Sequence, residues 1–163
     1  MNTIDRTYQQ RGKQVHLQEL TDLTAVRLER PEGRGTVSAP ALESIVPEGT
    51  LPQVRAFEDA GWAFVSRLQA TDGAKVYLKP SGRVALGTNR LTVRVVGRYS
   101  DVEAREMLSR QGFAVVDRLK LASNLFVVAV PAGHDAVEAA GRLTGSGEVE
   151  FAEPEFIEAI SGR

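Results

Sequence analysis

The sequence predicts an α+β fold in which short strands alternate with helices. Three observations carry this prediction: apolar runs with strand-like alternation after residue 88, two helix-capping signatures between those runs, and a partial repeat of the pattern in the first half of the chain. The composition, with 42% hydrophobic and 25% charged residues, is typical of a folded globular protein.

The first half, residues 1–88, is predicted to be a degenerate strand–helix–strand–strand unit. The polar residues 1–13 are expected to be loosely ordered, and a hairpin around Leu20-Thr21-Asp22 is expected from alternation over 15–19 and 24–28. Residues 30–50 are rich in proline and glycine and are predicted to form a mobile loop. A helix that Thr50 caps and Gly61 ends is then followed by predicted strands at 62–68, 74–78 and 83–86.

The second half, residues 89–163, has clearer signals for the starts and ends of its helices. After a strand at 91–95, Ser100 and Glu103 predict a capping box and a helix over about 101–111, which Gly112 ends. Strands are predicted at 113–119 and 125–130, followed by a helix from Asp135 to Gly145 and a last strand from Val149. The order strand–helix–strand–strand–helix–strand predicts a ferredoxin-like antiparallel sheet with two helices on one face.

An internal repeat links the two halves. When the sequence is shifted by 51 residues, eight identities fall within residues 61–82, among them Gly61 on Gly112, Arg67 on Arg118 and Pro80 on Pro131. The first half is therefore interpreted as a degenerate duplicate of the second.

Charge and composition argue against several classes of partner. The net charge of −1 does not favour nucleic-acid binding, and no apolar run is long enough to cross a membrane. The absence of cysteine excludes disulfides and thiolate metal sites. The start of the sequence carries no signal-peptide pattern, so a cytoplasmic location, at least initially, is expected.

No catalytic, cofactor or metal motif is found, so the chain is predicted not to be an enzyme. His16 and His134 have no partners in a catalytic pattern, and Gly145-Ser146-Gly147 lacks the spacing of a nucleophile turn. The aromatic residues in Gly61-Trp62-Ala63-Phe64-Val65 precede the position that an RNA-recognition strand requires, so we expect them in the core.

Three segments of the second half resemble a known family. Gly112–Leu119, Asn124–Gly133 and above all Val149-Glu-Phe-Ala-Glu-Pro-Glu-Phe-Ile157 are similar to the propeptide, or inhibitor-like prodomain, of bacterial subtilisin-type serine proteases. The resemblance covers residues 89–159 and, more weakly, the region before them. Glu155 stands where the family usually has asparagine.

The resemblance implies a folding chaperone and inhibitor whose open sheet face covers the protease and whose C-terminal tail lies in the substrate cleft. Ile160 would fill the pocket four residues before the scissile bond, and Arg163 would fill the primary pocket. The residues that this implies for protease binding are Glu150, Glu153, Glu155, Glu158, Ile160, Ser161, Gly162 and Arg163.

Alternatives remain open. The four glutamates could form a solvated strand face, and Arg163 could simply be where the chain was cut. The protein could be the prodomain of a protease precursor or a stand-alone cytosolic inhibitor of a separately encoded subtilase. It could also be a ligand-sensing regulatory domain of the same topology, without any link to a protease.

Overall fold

The computed structural model describes residues 3–10, 13–27, 49–68, 73–131 and 135–159. It shows an α+β fold with mostly antiparallel strands. The described residues form three helices and eight strands, in the order β1 (Thr3–Gln10), β2 (Lys13–Arg27), α1 (Leu51–Asp59), β3 (Trp62–Ser66), β4 (Ala74–Leu78), β5 (Val84–Val95), α2 (Asp101–Arg110), β6 (Ala114–Arg118), β7 (Leu125–Ala129), α3 (Ala136–Gly145) and β8 (Val149–Glu158). None of these helices is long and apolar enough to cross a membrane.

The chain forms two compact units that do not follow its linear order. Unit 1 comprises Met1–Asp5, Leu17–Gly87 and Phe156–Arg163, and unit 2 comprises Arg6–His16 and Thr88–Glu155. Residues Arg6–His16, which we call the N-terminal arm, therefore belong to the unit that contains most of the second half of the chain. The end of β8 contributes to the unit that contains the first half.

In unit 1, β2 pairs antiparallel with β3 and β4, and β4 pairs antiparallel with β5. Helix α1 begins after Thr50 as predicted, but the prediction that Thr50 caps it was wrong, because the Thr50 side chain makes no capping bond. The chain turns at Gly61 with a φ of 98°. Phe57 of α1 packs edge-on against Phe64 of β3, with ring centroids 5.9 Å apart. The buried cluster around them consists of Leu20, Leu23, Ala25, Val54, Phe57, Phe64, Val76, Val84, Leu86 and Ala159.

In unit 2, β5 pairs with β7 on one side and with β8 on the other, and β7 also pairs with β6. The strand order of this unit is therefore β8-β5-β7-β6. The predicted capping box of α2 is confirmed, because Ser100 accepts from the Glu103 amide and Glu103 accepts from the Ser100 amide, each at 3.1 Å. Asp135 caps α3 by accepting from the Val137 amide at 3.3 Å.

Two further predictions for the first half were wrong. Residues 1–13 were expected to be loosely ordered, but Thr3–Gln10 form β1, which pairs with β2. The hairpin expected around residues 20–22 is instead an irregularity within the single strand β2, where the register with β4 shifts between Glu19 and Thr24. Arg67 explains why no turn forms, since its guanidinium donates to the carbonyls of Leu20 and Leu23 and its amide to the carbonyl of Asp22. These bonds satisfy backbone groups that the irregularity leaves outside the ladder.

Strand lengths also differ from the prediction. The strands expected at 83–86 and 91–95 are one strand, β5, and β3 ends at Ser66 rather than at residue 68. The predicted loop at 30–50 lies outside the described residues up to residue 48.

The bounds of the elements agree with the proposed repeat, whereas the strand pairing differs. A shift of 51 residues places β4 on β7. However, β6 pairs with β7, whereas β3 pairs with β2. The duplication remains a prediction.

Candidate functional site

The four glutamates singled out by the sequence lie on β8, the last strand predicted from Val149, which continues to Glu158. Ala152 and Pro154 are buried, whereas Glu150 and Glu155 are exposed and Glu153 is half-buried. Three of the glutamates belong to unit 2 and Glu158 belongs to unit 1. The structure therefore places them on one strand but in two different surroundings.

Glu150 lies at the start of β8 and pairs with a cation on the neighbouring strand. Its Oε2 is 3.2 Å from Nε of Arg94 on β5, and both side chains are partly exposed, at 49% and 38%. An exposed pair of this kind contributes little to stability. Both charges therefore remain available to a partner at little cost to the fold.

Glu155 presents its carboxylate to solvent, while its backbone is fixed. Its carbonyl accepts a 2.9 Å hydrogen bond from the hydroxyl of Thr88, the first residue of β5 in unit 2. The side chain can therefore point outward from a strand whose position is set.

Glu158 is already engaged by two cations of unit 1. Its Oε1 contacts the ammonium of Lys79, and its Oε2 is 3.9 Å from Nε of Arg83. Arg83 also donates to the carbonyl of Ala159 at 2.7 Å. The Glu158 carboxylate is therefore already paired within unit 1.

Tyr77 and Lys79 contact the ring of Phe156. The ring packs edge-on against Tyr77, with centroids 5.9 Å apart, and Lys79 Nζ lies 5.0 Å from its centroid. Ala159 is buried among the core residues of unit 1. We call Tyr77, Lys79 and Arg83 the clamp, and Phe156–Ala159 the tail root. Ile160, Ser161, Gly162 and Arg163 lie outside the described residues.

Sequence reasoning missed the clamp, although a signal was present. Lys79 and Arg83 flank the predicted turn at Pro80-Ser81-Gly82, and the amide of Lys79 donates to the carbonyl of Arg83 at 2.9 Å. Two like charges facing each other across a hairpin are unfavourable unless an anion lies beside them. The pattern Lys-Pro-Ser-Gly-Arg thus indicates a nearby carboxylate, which is Glu158.

The sheet of unit 2 has one face buried under α2 and another that is half-exposed. Leu91, Val93 and Phe126 are buried, and Arg105 of α2 lies over the Phe126 ring at 5.4 Å. Because side chains alternate along a strand, their neighbours point to the opposite face. We call that opposite side the free sheet face; the register assigns to it Arg90, Thr92 and Arg94 of β5, the buried Leu125 together with Val127 and Ala129 of β7, and Ala114 and Asp117 of β6.

The free sheet face combines a shallow centre with a charged rim. Thr92, Val127 and Ala129 are half-buried and small, while Arg90 and Asp117 at the rim are exposed. A face of this shape offers a flat, weakly apolar contact area with charges at its border, which is how many protein interfaces are built.

Carboxylates with a lowered pKa lie away from this face, on the first turn of α2. The pKa of Asp101 is lowered by hydrogen bonds from Arg105 and then Arg118, and the pKa of Glu103 is lowered by the amide of Ser100. Both shifts arise from ion pairing and capping, which stabilise α2. They do not indicate acid–base chemistry.

Two of the residues considered as catalytic candidates, His16 and Ser146, lie in the described part of the chain. His16 is exposed on β2, and the Ser146 hydroxyl donates to the Leu143 carbonyl at the end of α3. His134 lies outside the described residues. In the described ranges, no group of three or more His, Asp or Glu side chains is placed to hold a metal ion.

Comparisons of the chain with models of protein families, with curated proteins and with solved structures give no match.

Proposed function

We propose that the protein binds a subtilisin-like serine protease as its prodomain, acting as a folding chaperone and as an inhibitor that occupies the substrate cleft. We further propose that unit 2 has the ferredoxin-like arrangement, with α2 and α3 on one face of its sheet. The observation that carries the proposal is the strand order β8-β5-β7-β6, with a helix in each of the two crossovers and one sheet face half-exposed.

The free sheet face supports the contact with the protease body. Its small central residues let a flat surface approach closely, and the rim charges Arg90, Arg94 and Glu150 can pair with charges of the partner. A chain that binds the folded protease but not the unfolded one stabilises the folded state by mass action. This is the physical basis of the proposed chaperone role.

The C-terminal segment supports the contact with the cleft. In the proposed complex, Ile160–Arg163 adds an extended strand to the walls of the substrate cleft, so that main-chain hydrogen bonds give affinity and side-chain pockets give selectivity. Ile160 and Arg163 would be the two side chains in pockets. Because side chains alternate along β8, Glu153 and Glu155 lie on the side of the strand opposite to Glu150, so of these three glutamates Glu150 would face the protease.

The test is to mix the full chain with each subtilisin-type protease of its source organism and to measure inhibition and complex formation. Deletion of Ile160–Arg163 is expected to abolish inhibition of the cleft while leaving weaker binding. Ala129→Arg, on the free sheet face, is expected to weaken binding at least tenfold, because a long charged side chain separates the surfaces. Leu121→Arg is the matched control, since Leu121 is 90% exposed in a loop of the same unit.

The absence of inhibition of every such protease by the wild-type chain would overturn the proposal. Refolding assays separate its two variants. Faster refolding of the denatured protease is expected for a prodomain, whereas inhibition without faster refolding would indicate a separately encoded inhibitor. A cytoplasmic location, at least initially, remains a prediction.

A further inference from the structure

We propose that the clamp of unit 1 positions the inhibitory tail, so that Lys79 and Arg83 are positioning residues for a segment of the chain that neither of them belongs to. The inference rests on the proposed function. It assigns a role to the first half of the chain, for which the resemblance to prodomains implies none.

The contacts converge on the tail root. Within four consecutive residues, the aromatic ring of Phe156, the carboxylate of Glu158 and the carbonyl of Ala159 each meet a clamp side chain. The Glu158 side chain is 33% exposed, and Ala159 is buried in the unit 1 core. Side chain and backbone of the tail root are therefore both fixed.

The position of the tail root in the sequence gives this fixation a consequence. Ala159 directly precedes Ile160, the first of the four residues proposed to enter the substrate cleft. An extended peptide that binds a cleft loses conformational entropy, and each residue fixed beforehand removes part of that cost. By fixing the residues before Ile160, the clamp sets the point from which the proposed inhibitory segment starts.

A purely structural clamp would act differently from a positioning clamp. If Lys79 and Arg83 only stabilised unit 1, their removal would affect binding equally with or without Ile160–Arg163. If they position the tail, their removal matters only while the tail is present. A double-mutant cycle between the clamp and the tail measures this difference.

The experiment uses four full-length or tail-deleted proteins: wild type, Lys79→Met/Arg83→Met, the deletion of Ile160–Arg163, and the combination of the two. The inhibition constant is measured with the active protease. The dissociation constant is measured with a protease whose catalytic serine is replaced by alanine. The clamp variant is expected to weaken inhibition by the intact chain about tenfold, which is the ordering cost of one to two residues. In the tail-deleted background it is expected to leave the dissociation constant unchanged.

Two further proteins keep the result interpretable if the clamp variant folds poorly. Glu158→Gln removes the charge on the tail-root side at constant size and is expected to weaken inhibition in the same direction. Lys120→Met/Arg110→Met makes the same change of charge on exposed residues of unit 2 and is expected to have no effect.

The outcomes separate the two proposals. If the wild-type chain inhibits no subtilisin-type protease, the proposed function fails. If it inhibits, but clamp substitutions have equal effects with and without the tail, or none, then the positioning role fails and the proposed function stands.

Discussion

Asn124 holds together three segments of unit 2 from a single position. It adopts a left-handed backbone with a φ of 56°, and its Nδ2 donates to the carbonyls of Tyr99 at 2.8 Å and Val96 at 3.3 Å. Its own carbonyl accepts from the amide of Val95 at 2.9 Å. Asparagine tolerates this backbone better than other residues with a Cβ, and its amide supplies the two donors.

Asn124→Ala is expected to lower the free energy of unfolding by about 2–3 kcal/mol, because the carbonyls of the half-buried residues Val96 and Tyr99 each lose a hydrogen bond and alanine is strained at this φ. Asn124→Gly is expected to cost less, since glycine removes the strain but not the loss of donors. Urea denaturation measures both. The exposed Ser123→Ala serves as control, and an equal loss for alanine and glycine would contradict the role of the backbone.

Glu19 and Arg67 form an ion pair in unit 1 whose carboxylate is buried. Arg67 Nη1 is 2.7 Å from Oε2 of Glu19, whose side chain is only 2% exposed, and Lys75 Nζ is 3.9 Å from Oε1. Removing one partner of a buried pair leaves a charge without full compensation.

Arg67→Met is therefore expected to destabilise the protein by about 3–5 kcal/mol. Arg55→Met is the control: Arg55 and Glu58 lie 2.8 Å apart on the exposed side of α1, and loss of such a pair costs less than about 1 kcal/mol. Adding Glu19→Gln to Arg67→Met is expected to recover part of the loss. Thermal unfolding of the four proteins tests this, and equal effects of the Arg67 and Arg55 variants would be the contrary result.

At the scale of elements, α2 is defined by its first turn. Its capping box is complete, and Arg105 and Arg118 both donate to Asp101. A carboxyl group with a lower pKa in the folded state adds stability above its ordinary pKa, and this contribution disappears as the pH falls through the folded pKa. Both carboxylates of this turn belong to this case.

Glu103→Ala is accordingly expected to destabilise the protein at neutral pH and progressively less as the pH falls below the ordinary carboxyl range. The comparison is the melting temperature of the wild type and the variant across an acid series. A difference that stays constant, or grows, towards low pH would show that the Glu103 carboxylate does not act as the cap.

Gly73, directly before β4, packs against β2. A Cβ at this position would overlap Cγ2 of Thr24 and would lie 2.7 Å from the carbonyl oxygen of Ala25. Gly73→Ala must therefore displace backbone and is expected to cost about 1–3 kcal/mol. Gly97→Ala, with open space around its Cβ, is expected to be neutral or slightly stabilising in the same denaturation experiment.

Elements with local signals could be predicted from the sequence, and those that depend on distant partners could not. The capping residues Ser100, Glu103 and Asp135 placed α2 and α3 correctly, because a cap acts within one helical turn. By contrast, β1 has a polar sequence and becomes a strand by pairing with β2. The irregularity within β2 is held by hydrogen bonds from Arg67, more than forty residues away in the chain.

The residues of the candidate site also divide into those that could be predicted from the sequence and those that could not. The glutamates of β8 were found because they lie in one recognisable segment. The Lys79 and Arg83 side chains that engage Glu158 were missed because that contact joins residues more than seventy positions apart. Sequence patterns identified the segment, and packing determined which of its charges are free.

At the scale of the whole molecule, each unit takes chain from both ends. Unit 2 includes Arg6–His16, where Arg6 pairs with Glu138 of α3 at 2.9 Å, and unit 1 includes the end of β8. A cut between residues 88 and 89 therefore removes a piece from each unit. It also divides the single strand β5.

A fragment of residues 89–163 is expected not to fold cooperatively, because it lacks the N-terminal arm and leaves the apolar tail root without its core. The full chain is expected to give a single sharp unfolding transition. Amide dispersion in NMR spectra and denaturant titrations make the comparison. A well-dispersed spectrum from the fragment would show that the arm is dispensable.

The position of the arm also bears on synthesis. Arg6 is made about 130 residues before Glu138, and at the usual rate of about 5–20 residues per second it waits roughly 7–26 seconds for its partner to be translated. During that interval Arg6 has no Glu138 to pair with, although β1 can already pair with β2. Slowing translation lengthens this interval, and unit 2 can be completed only after its last residue, Glu155, has been translated.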